Sequence, residues 1–330
     1  MPEAGAGAHV ILQVEGLKKH FSAGGVLDRL FRRSVTVRAL DGVSFSLQKG
    51  RTLGVVGESG CGKTTLARTV ARLYRPTEGR IRFDDEDITE LSDSQFRPLR
   101  RSIQMIFQDP LASLNPRRTV GEILDKPLKV HGLDGDRRNR VDEALRSVGL
   151  EPRMHRDRYP YQLSGGQAQR VGIARSLILE PKLIIADEPV SSLDISVQAQ
   201  IINLLQQLQS EHDLAFMFIA HDLSVVRQLC QDVMVMYLGK AVELAPAEEL
   251  FDDPLHPYTR ALLSAVPRVG SPGEPIVLGG QPPSPLEPPG GCPFHPRCPE
   301  KIGEVCEERE PQLIEARPGH HVACHLYPGA

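Results

Sequence analysis

No stretch of this 330-residue chain approaches the run of about 18 apolar residues that a membrane-crossing helix needs, so it is expected not to span a bilayer. The first thirty residues lack a cationic start followed by an apolar segment, and no secretory signal is expected. Charge of one sign is missing as well. Lys and Arg number 39 against 42 Asp and Glu, for a net charge of −3. Arg100-Arg101 and Arg137-Arg138 are short clusters that read as solvated faces rather than a nucleic-acid footprint. No internal repeat is found, and no two cysteines stand in a tight C-x2-4-C knuckle. The length suffices for a full core, and one large domain with an appendage fits it.

Three phosphate-handling motifs are present, in one order. Gly57-Glu58-Ser59-Gly60-Cys61-Gly62-Lys63-Thr64 is a complete P-loop. Thr52–Val56 before it reads as a buried strand, and a helix is expected from near Lys63 with Leu66, Val70 and Leu73 on one face. Gly57, Gly60 and Gly62 let successive N–H groups point at one anion, and the helix N-terminus adds its positive end. Lys63 would reach the β- and γ-phosphates and the Thr64 hydroxyl would ligate Mg²⁺, with Ser59 and Thr65 among the nucleotide-binding residues. No catalytic need for the Cys61 thiol is evident, but alkylating it should block nucleotide sterically.

Leu183-Ile184-Ile185-Ala186-Asp187-Glu188 is an apolar strand ending in two carboxylates between Pro181 and Pro189. Such an edge faces the ligand crevice of open α/β sheets. Asp187 suits the outer shell of the metal, and Glu188 suits a general base for the attacking water. Leu163-Ser164-Gly165-Gly166-Gln167 opens a segment, Ala168 to Leu179, whose Ile173, Leu177 and Ile178 suggest a helix with Ser164 near its N-cap. That makes a second anion site, one more than a single ATP needs from one subunit.

Leu163–Gln167 resembles the signature motif of ABC-type ATPases. The resemblance implies that the signature of one subunit closes over the ATP held by the P-loop of another, with Ser164, Gly166 and Gln167 in contact. Gln108, in Met105-Ile106-Phe107-Gln108-Asp109-Pro110, resembles the Q-loop residue that touches Mg²⁺ and moves with the membrane subunits. Ser191-Ser192-Leu193-Asp194 resembles the D-loop, and His221 the switch histidine at the γ-phosphate. Phe21, after Leu17-Lys18-Lys19-His20, is the best match to the adenine-stacking aromatic, with residues 22–37 looking like an inserted loop. Position 168 holds Ala where long polar residues are usual, with no functional loss expected.

The fold expected is α/β: a P-loop NTPase (RecA-like) core with a β-rich edge, an inserted helical subdomain and a small cysteine-containing C-terminal extension. Residues 10–56 read as strands, as at Val10–Val14 and Val43–Leu47. Residues 109–168 form the helical subdomain, with helices at Val120–Val130 and Val141–Val148. Residues 169–250 return to βαβ alternation, with strands at 183–186, 215–220 and 232–237, and Ile195–Leu208 places Ile201, Leu204, Leu205 and Leu208 on one helix face. Residues 1–267 would be the nucleotide-binding domain and 268–330 the extension. Arg268–Gly291 holds seven Pro and six Gly in 24 residues, an arm without regular structure.

Four of the six cysteines, Cys292, Cys298, Cys306 and Cys324, fall in the last 39 residues, spaced C-x5-C, C-x7-C and C-x17-C. Structural disulfides are not expected in a reducing compartment, so the cluster suggests a metal. The long spacings favour a [4Fe–4S] cluster, with zinc the alternative if His295, His320, His321 or His325 contribute, and free thiols the remaining reading. His256-Pro257-Tyr258-Thr259-Arg260-Ala261-Leu262-Leu263 and Gly291-Cys292-Pro293-Phe294-His295-Pro296-Arg297-Cys298-Pro299 resemble the C-terminal extension of dipeptide/oligopeptide importer ATPases. In that group the cysteines ligate a [4Fe–4S] cluster. Phe107–Pro110, Ser113-Leu114-Asn115-Pro116 and Ala39-Leu40-Asp41-Gly42-Val43-Ser44 resemble the same group, so the resemblance covers nearly the whole chain.

The resemblance implies an ATPase subunit that powers dipeptide or oligopeptide import from the cytoplasmic face of the cell membrane. Its partners would be a second homologous ATPase, two permease subunits and, through them, an extracytoplasmic peptide-binding protein, with no nucleic acid. Related importers for nickel or other solutes are the alternative. A soluble DNA-repair or chromosome ATPase is the rival class, but the 98 residues between Thr64 and Leu163 hold no sustained heptads.

Overall fold

The computed structural model describes residues 9–23, 35–265 and 276–330. The chain divides into two compact units, one of Met1–Leu47, Thr52–Thr89 and His221–Ala330, the other of Gln48–Arg51 and Glu90–Ala220. Among the described residues the strands are β1 Val10–Ala23, β2 Val35–Gln48, β3 Thr52–Val56, β4 Glu78–Phe83, β5 Glu86–Asp87, β6 Ile103–Ile106, β7 Leu183–Asp187, β8 Ala215–Ile219, β9 Asp232–Tyr237, β10 Lys240–Pro246, β11 Ile314–Arg317 and β12 His320–Val322.

The first unit holds an antiparallel sheet in the order β2-β1-β4-β5. Val43, Phe45 and Leu47 alternate inward along β2, as a half-covered strand requires. β4 and β5 are joined through Asp84 and Asp85, both at positive φ (50° and 66°), the turn that matches the twist of a hairpin. The same unit holds strands in the order β11-β12-β10-β9-β3. β3 runs parallel to β9, and all five of its residues are buried, so it reads as a continuous apolar run rather than an alternating one. β9 turns into β10 through Leu238 and Gly239, again both at positive φ.

The C-terminal segment joins this unit by pairing: β12 lies antiparallel to β10, with Glu243 opposite Val322. The β9–β10 register shifts between Ala241 and Glu243, a bulge that lets Glu243 sit fully buried. Its carboxylate accepts the N–H groups of Leu255 (2.7 Å) and His256 (3.0 Å) and the Nε2–H of buried His320 (2.7 Å). One carboxylate thus ties β10, β12 and the start of the helix Pro257–Ser264 together.

The second unit carries three parallel strands in the order β8-β7-β6, with Ile103 opposite Leu183 and Asp187 opposite Ile219. The helix Val120–Val130 opens with a capping box between Thr119 and Glu122 and buries Val120, Ile123, Leu124 and Leu128 at helical spacing. The helix expected at Val141 starts at Arg137, because the Asp136 side chain caps it and its first turn is polar. Both helices pack on the helix Gly165–Leu177. The helix Ile195–His212 buries Ile201, Leu204, Leu205 and Leu208, as their spacing predicted, and ends at Asp213 in the left-handed conformation.

Two local expectations are corrected. The helix after the P-loop stops at Val70, and Leu73 is exposed instead of continuing the apolar face. Of residues 22–37, expected as an inserted loop, 22–23 belong to β1 and 35–37 to β2; residues 24–34 lie outside the described residues.

Glu243→Ala is expected to lower stability by about 3–5 kcal/mol in urea unfolding, since it strips three buried donors of their acceptor. Glu243→Gln, which keeps one acceptor oxygen, should lose less. A Glu243→Ala loss under about 1 kcal/mol would remove this carboxylate from its tying role.

Candidate functional site

The P-loop follows the C-terminal end of β3, with Gly57, Gly60 and Gly62 at φ of 149°, 80° and 110°. Two of these glycines are needed for space as well as for φ. A Cβ on Gly57 would stand 2.2 Å from the Met236 carbonyl oxygen, and one on Gly62 2.4 Å from that of Ala39. The β9–β10 turn holds the loop from the other side, with Gly239 N–H donating to the Cys61 carbonyl at 2.8 Å. Lys63 is 6% exposed, and its Nζ donates to the carbonyls of Gly57 (2.7 Å) and Glu58 (3.0 Å). Ser59 and Gly60 are exposed, and Thr64 and Thr65 are half-buried at the start of the helix Lys63–Val70. This is a ring of backbone donors with one ammonium and three hydroxyls, a donor set that fits a polyphosphate and its Mg²⁺.

Glu58 has partners that the sequence did not disclose. Its N–H donates to the Tyr258 hydroxyl at 2.8 Å, and its carboxylate accepts a two-pronged bond from Arg297. Tyr258 is fully buried among Tyr237 and Phe294. Burial in that apolar setting pushes its hydroxyl well above the usual tyrosine range, so it is a fixed neutral partner. The sole sequence signal for Arg297 was its place inside the cysteine segment.

In the second unit, Asp187 ends β7 and is 2% exposed. Glu188 follows at φ 48°, a left-handed conformation that costs a residue with a side chain about 1–3 kcal/mol. Its N–H donates to the Ile219 carbonyl, and its own carbonyl accepts from the Ser191 N–H and hydroxyl. Gln108 Nε2 donates to Glu188 Oε2 at 2.8 Å. Gln108 and Glu188, 80 residues apart in sequence, are therefore brought together.

Ser164 is the N-cap of the helix Gly165–Leu177. It forms a capping box in which its hydroxyl accepts from Gln167 N–H and the Gln167 side chain accepts from Ser164 N–H. Ser164 and Gly165 are exposed. A Cβ on Gly166 would meet Val197 at 2.6 Å, so the glycine lets this helix end approach the helix that follows Asp194. Ala168 is fully buried, which leaves no room for a long polar side chain. Asp194 caps the helix Ile195–His212, and hydrogen bonds from Ser196 and Val197 hold its carboxyl below the usual range. His221 belongs to the first unit, where it is exposed beside the cap residue Asp222. Phe21, in β1, is half-buried. Its ring meets Tyr74 edge-on at 5.4 Å, and Lys19 Nζ lies 4.9 Å from its centroid.

The expected metal cluster is overturned. Among the described residues no group of three or more His, Cys, Asp or Glu is arranged to hold a metal ion, so neither the [4Fe–4S] cluster nor the zinc alternative stands. Cys292, Cys306 and Cys324 are buried and Cys298 is half-buried, all as free thiols. Cys324 packs with Leu255 and Val322, and Cys292 N–H bonds the Cys306 carbonyl at 2.9 Å. Burial pushes the Cys292 and Cys324 thiols up to about 11, and the neighbouring sulfurs push the same way. Neutral, buried thiols pack as small apolar side chains. Their clustering in sequence reflects packing, which spacing alone cannot tell from ligation.

Two family models match this chain: ABC transporter over residues 40–191, and oligopeptide/dipeptide transporter, C-terminal region, over residues 242–306. The oligopeptide transport ATP-binding protein AppF of Bacillus subtilis is 54% identical over 98% of this chain and 99% of its own length. The oligopeptide transport ATP-binding protein OppF of Escherichia coli is 49% identical over 96% of each. Among solved structures, the dimeric post-hydrolysis ATP-binding cassette MJ0796 bound to ADP and Pi is similar at TM-score 0.64 and 29% identity, covering 72% of this chain and 99% of that one. CbiO1 of Clostridium perfringens, part of the cbiONQ transporter complex, matches at TM-score 0.64 and 31% identity, covering 74% and 92%.

Burial also raises the Cys61 thiol. Iodoacetamide labelling of the native chain at pH 7–8 should therefore be slow at Cys61, Cys292 and Cys324, and should quicken as pH rises past the ordinary thiol range. For the two thiols near 11 the thiolate share is about a hundredfold below that of a free cysteine. Half-buried Cys298 should react ahead of them. Fast labelling of Cys61 or Cys292 in the folded chain at pH 7, mapped by mass spectrometry, would contradict this account.

Proposed function

This chain belongs to the ATP-binding subunits of ABC transporters, in the group with the oligopeptide/dipeptide C-terminal region, and from that membership we propose how its residues drive peptide import. It is an ATPase that works as a dimer of cassettes and powers transport of dipeptides or oligopeptides through membrane permease subunits. The observation that carries this reading is the presence of both family matches in one chain that aligns end to end with oligopeptide transport ATP-binding proteins.

Gly57, Ser59, Gly60, Gly62, Lys63, Thr64 and Thr65 cradle the phosphates, and Phe21 stacks on adenine. Thr64, Gln108 and Asp187 would hold Mg²⁺, which when bound would neutralise phosphate charge. Glu188 orients the attacking water and accepts its proton, and the Gln108 bond to its carboxylate supports that poise. His221 contacts the γ-phosphate. Ser164, Gly166, Gln167 and Asp194 serve the ATP bound by the partner subunit; the exposure of Ser164 and of the helix end behind it favours that use. Residues 1–267 act as the nucleotide-binding domain, with the helical subdomain at 109–168, and 268–330 as the extension. The partner is a second homologous ATPase subunit, the two permeases receive solute from an extracytoplasmic peptide-binding protein, and this subunit sits peripherally on the cytoplasmic face of the membrane.

Glu188→Gln should retain ATP binding, lower turnover by about 10²–10⁴-fold and trap a closed dimer. Near-normal ATPase activity of that variant in the assembled transporter would strip Glu188 of its role. Ser164→Arg should leave this chain's own ATP affinity unchanged and cripple hydrolysis of the nucleotide bound by its partner. If the isolated subunit instead lost ATP binding on that change, the two-chain site would be wrong.

A further inference from the structure

Arg297 stands one residue before Cys298, 239 positions from Glu58, yet its guanidinium grips the Glu58 carboxylate at 2.8 Å (Nη1 to Oε2) and 3.1 Å (Nη2 to Oε1). Nη1 also lies 3.4 Å from the Tyr237 hydroxyl. The Arg297 side chain is 7% exposed, and its Nε is buried without a hydrogen-bond partner among the described residues. A guanidinium held out of water with one donor unsatisfied is a costly way to gain stability, because desolvation offsets much of the ion-pair attraction. What the arrangement does deliver is geometric. Glu58 is the second residue of the P-loop, and all three of its polar groups are fixed. The N–H is held by Tyr258, the carbonyl by Lys63 and the carboxylate by Arg297.

The other end of this grip is anchored as firmly. Arg297 closes the short helix His295–Arg297, which follows Phe294. Phe294 is fully buried against Tyr237, Tyr258 and His256. The backbone behind it is tied by the bond from Cys292 N–H to the Cys306 carbonyl. The C-terminal segment thus reaches the phosphate loop through a rigid wedge.

We propose that Arg297 is a positioning residue for nucleotide: it holds the P-loop in its receptive curl and neutralises the carboxylate that the loop itself carries, so that ATP affinity depends on the C-terminal segment. Two consequences separate this from simple bracing. A loop ordered beforehand spends less binding energy on being ordered, so losing the grip weakens binding rather than turnover. And a bare Glu58 carboxylate repels the phosphates within a screening length of about 8 Å, so removing that charge as well restores part of the loss. The inference rests on the reading of the P-loop as the ATP site.

The test is equilibrium binding of a fluorescent ATP analogue to the full chain, with steady-state ATPase of the assembled transporter. Arg297→Ala should raise Kd about tenfold and raise KM for ATP alike, with kcat at saturating ATP within about twofold of wild type. Arg297→Lys should fall between, since it keeps the charge without the fork. The double variant Glu58→Gln/Arg297→Ala should bind more tightly than Arg297→Ala alone. Circular dichroism checks that each variant is folded; if Arg297→Ala is not, Arg297→Lys with and without Glu58→Gln carries the comparison. A Kd within about twofold of wild type, a loss confined to kcat, or a double variant no better than the single overturns the proposal. Lys63→Ala is the control: if it binds ATP as well as wild type, the ATP site itself is wrong and the positioning role falls with it.

Discussion

The contact on which the first unit depends is the backbone of the P-loop lying against the chain at Ala39 and the β9–β10 turn. Gly57 and Gly62 are packed so closely against carbonyl oxygens that no side chain can be carried at either position. That fixes the curl of the loop, and with it the direction of its N–H groups. It also requires the tight turn at Leu238 and Gly239, whose positive φ values put the Gly239 N–H on the Cys61 carbonyl. β10 leaves that turn carrying the buried Glu243, which organises the start of the Pro257–Ser264 helix and β12. The C-terminal segment is thereby held where Arg297 can reach Glu58. Phosphate loop, hairpin, buried carboxylate and C-terminal segment form one chain of mechanical consequence.

In the second unit the equivalent tension sits at Glu188. Its left-handed backbone is held by bonds to Ile219 and Ser191, and its side chain by Gln108. Strain of this kind persists where the surroundings over-determine it, and it is found where a side chain must be presented at a fixed angle. Gln108 precedes Asp109, which caps the short helix Pro110–Ser113, so a movement of that segment would be felt at the Glu188 carboxylate. The end of the helix Gly165–Leu177 is capped by Ser164 and Gln167 and left exposed at Ser164 and Gly165, which is what the proposed use on a partner's nucleotide requires.

Much of this was legible in the sequence, because the motifs encode local geometry. The strand at Thr52–Val56, the Ser164 cap, the helix Val120–Val130 and the buried face of the helix after Asp194 follow from spacing, capping chemistry and apolar period within a dozen or so residues. Helix ends were less legible: Leu73 fits the period but lies past the last turn, and the Arg137 start is set by Asp136 rather than by the apolar pattern. What could not be read is long-range. The pairs Glu58–Arg297 and Glu243–His320 join positions hundreds or tens of residues apart, and nothing local marks them. The cysteines failed differently. Four thiols close in sequence look alike whether they bind metal or simply pack; among the described residues they are not arranged to hold a metal, and Cys324 is buried beside Leu255 and Val322.

The central claim is that ATP held by this P-loop powers peptide movement through permease subunits. The most direct measurement is accumulation of a labelled oligopeptide in proteoliposomes that contain the assembled transporter, with the proposed peptide-binding protein supplied outside and Mg-ATP on the side of this subunit. The account predicts uptake that requires ATP and is lost with Lys63→Ala in this subunit. Uptake that persists with that variant, or ATP hydrolysis that moves no peptide while moving another solute, would contradict it.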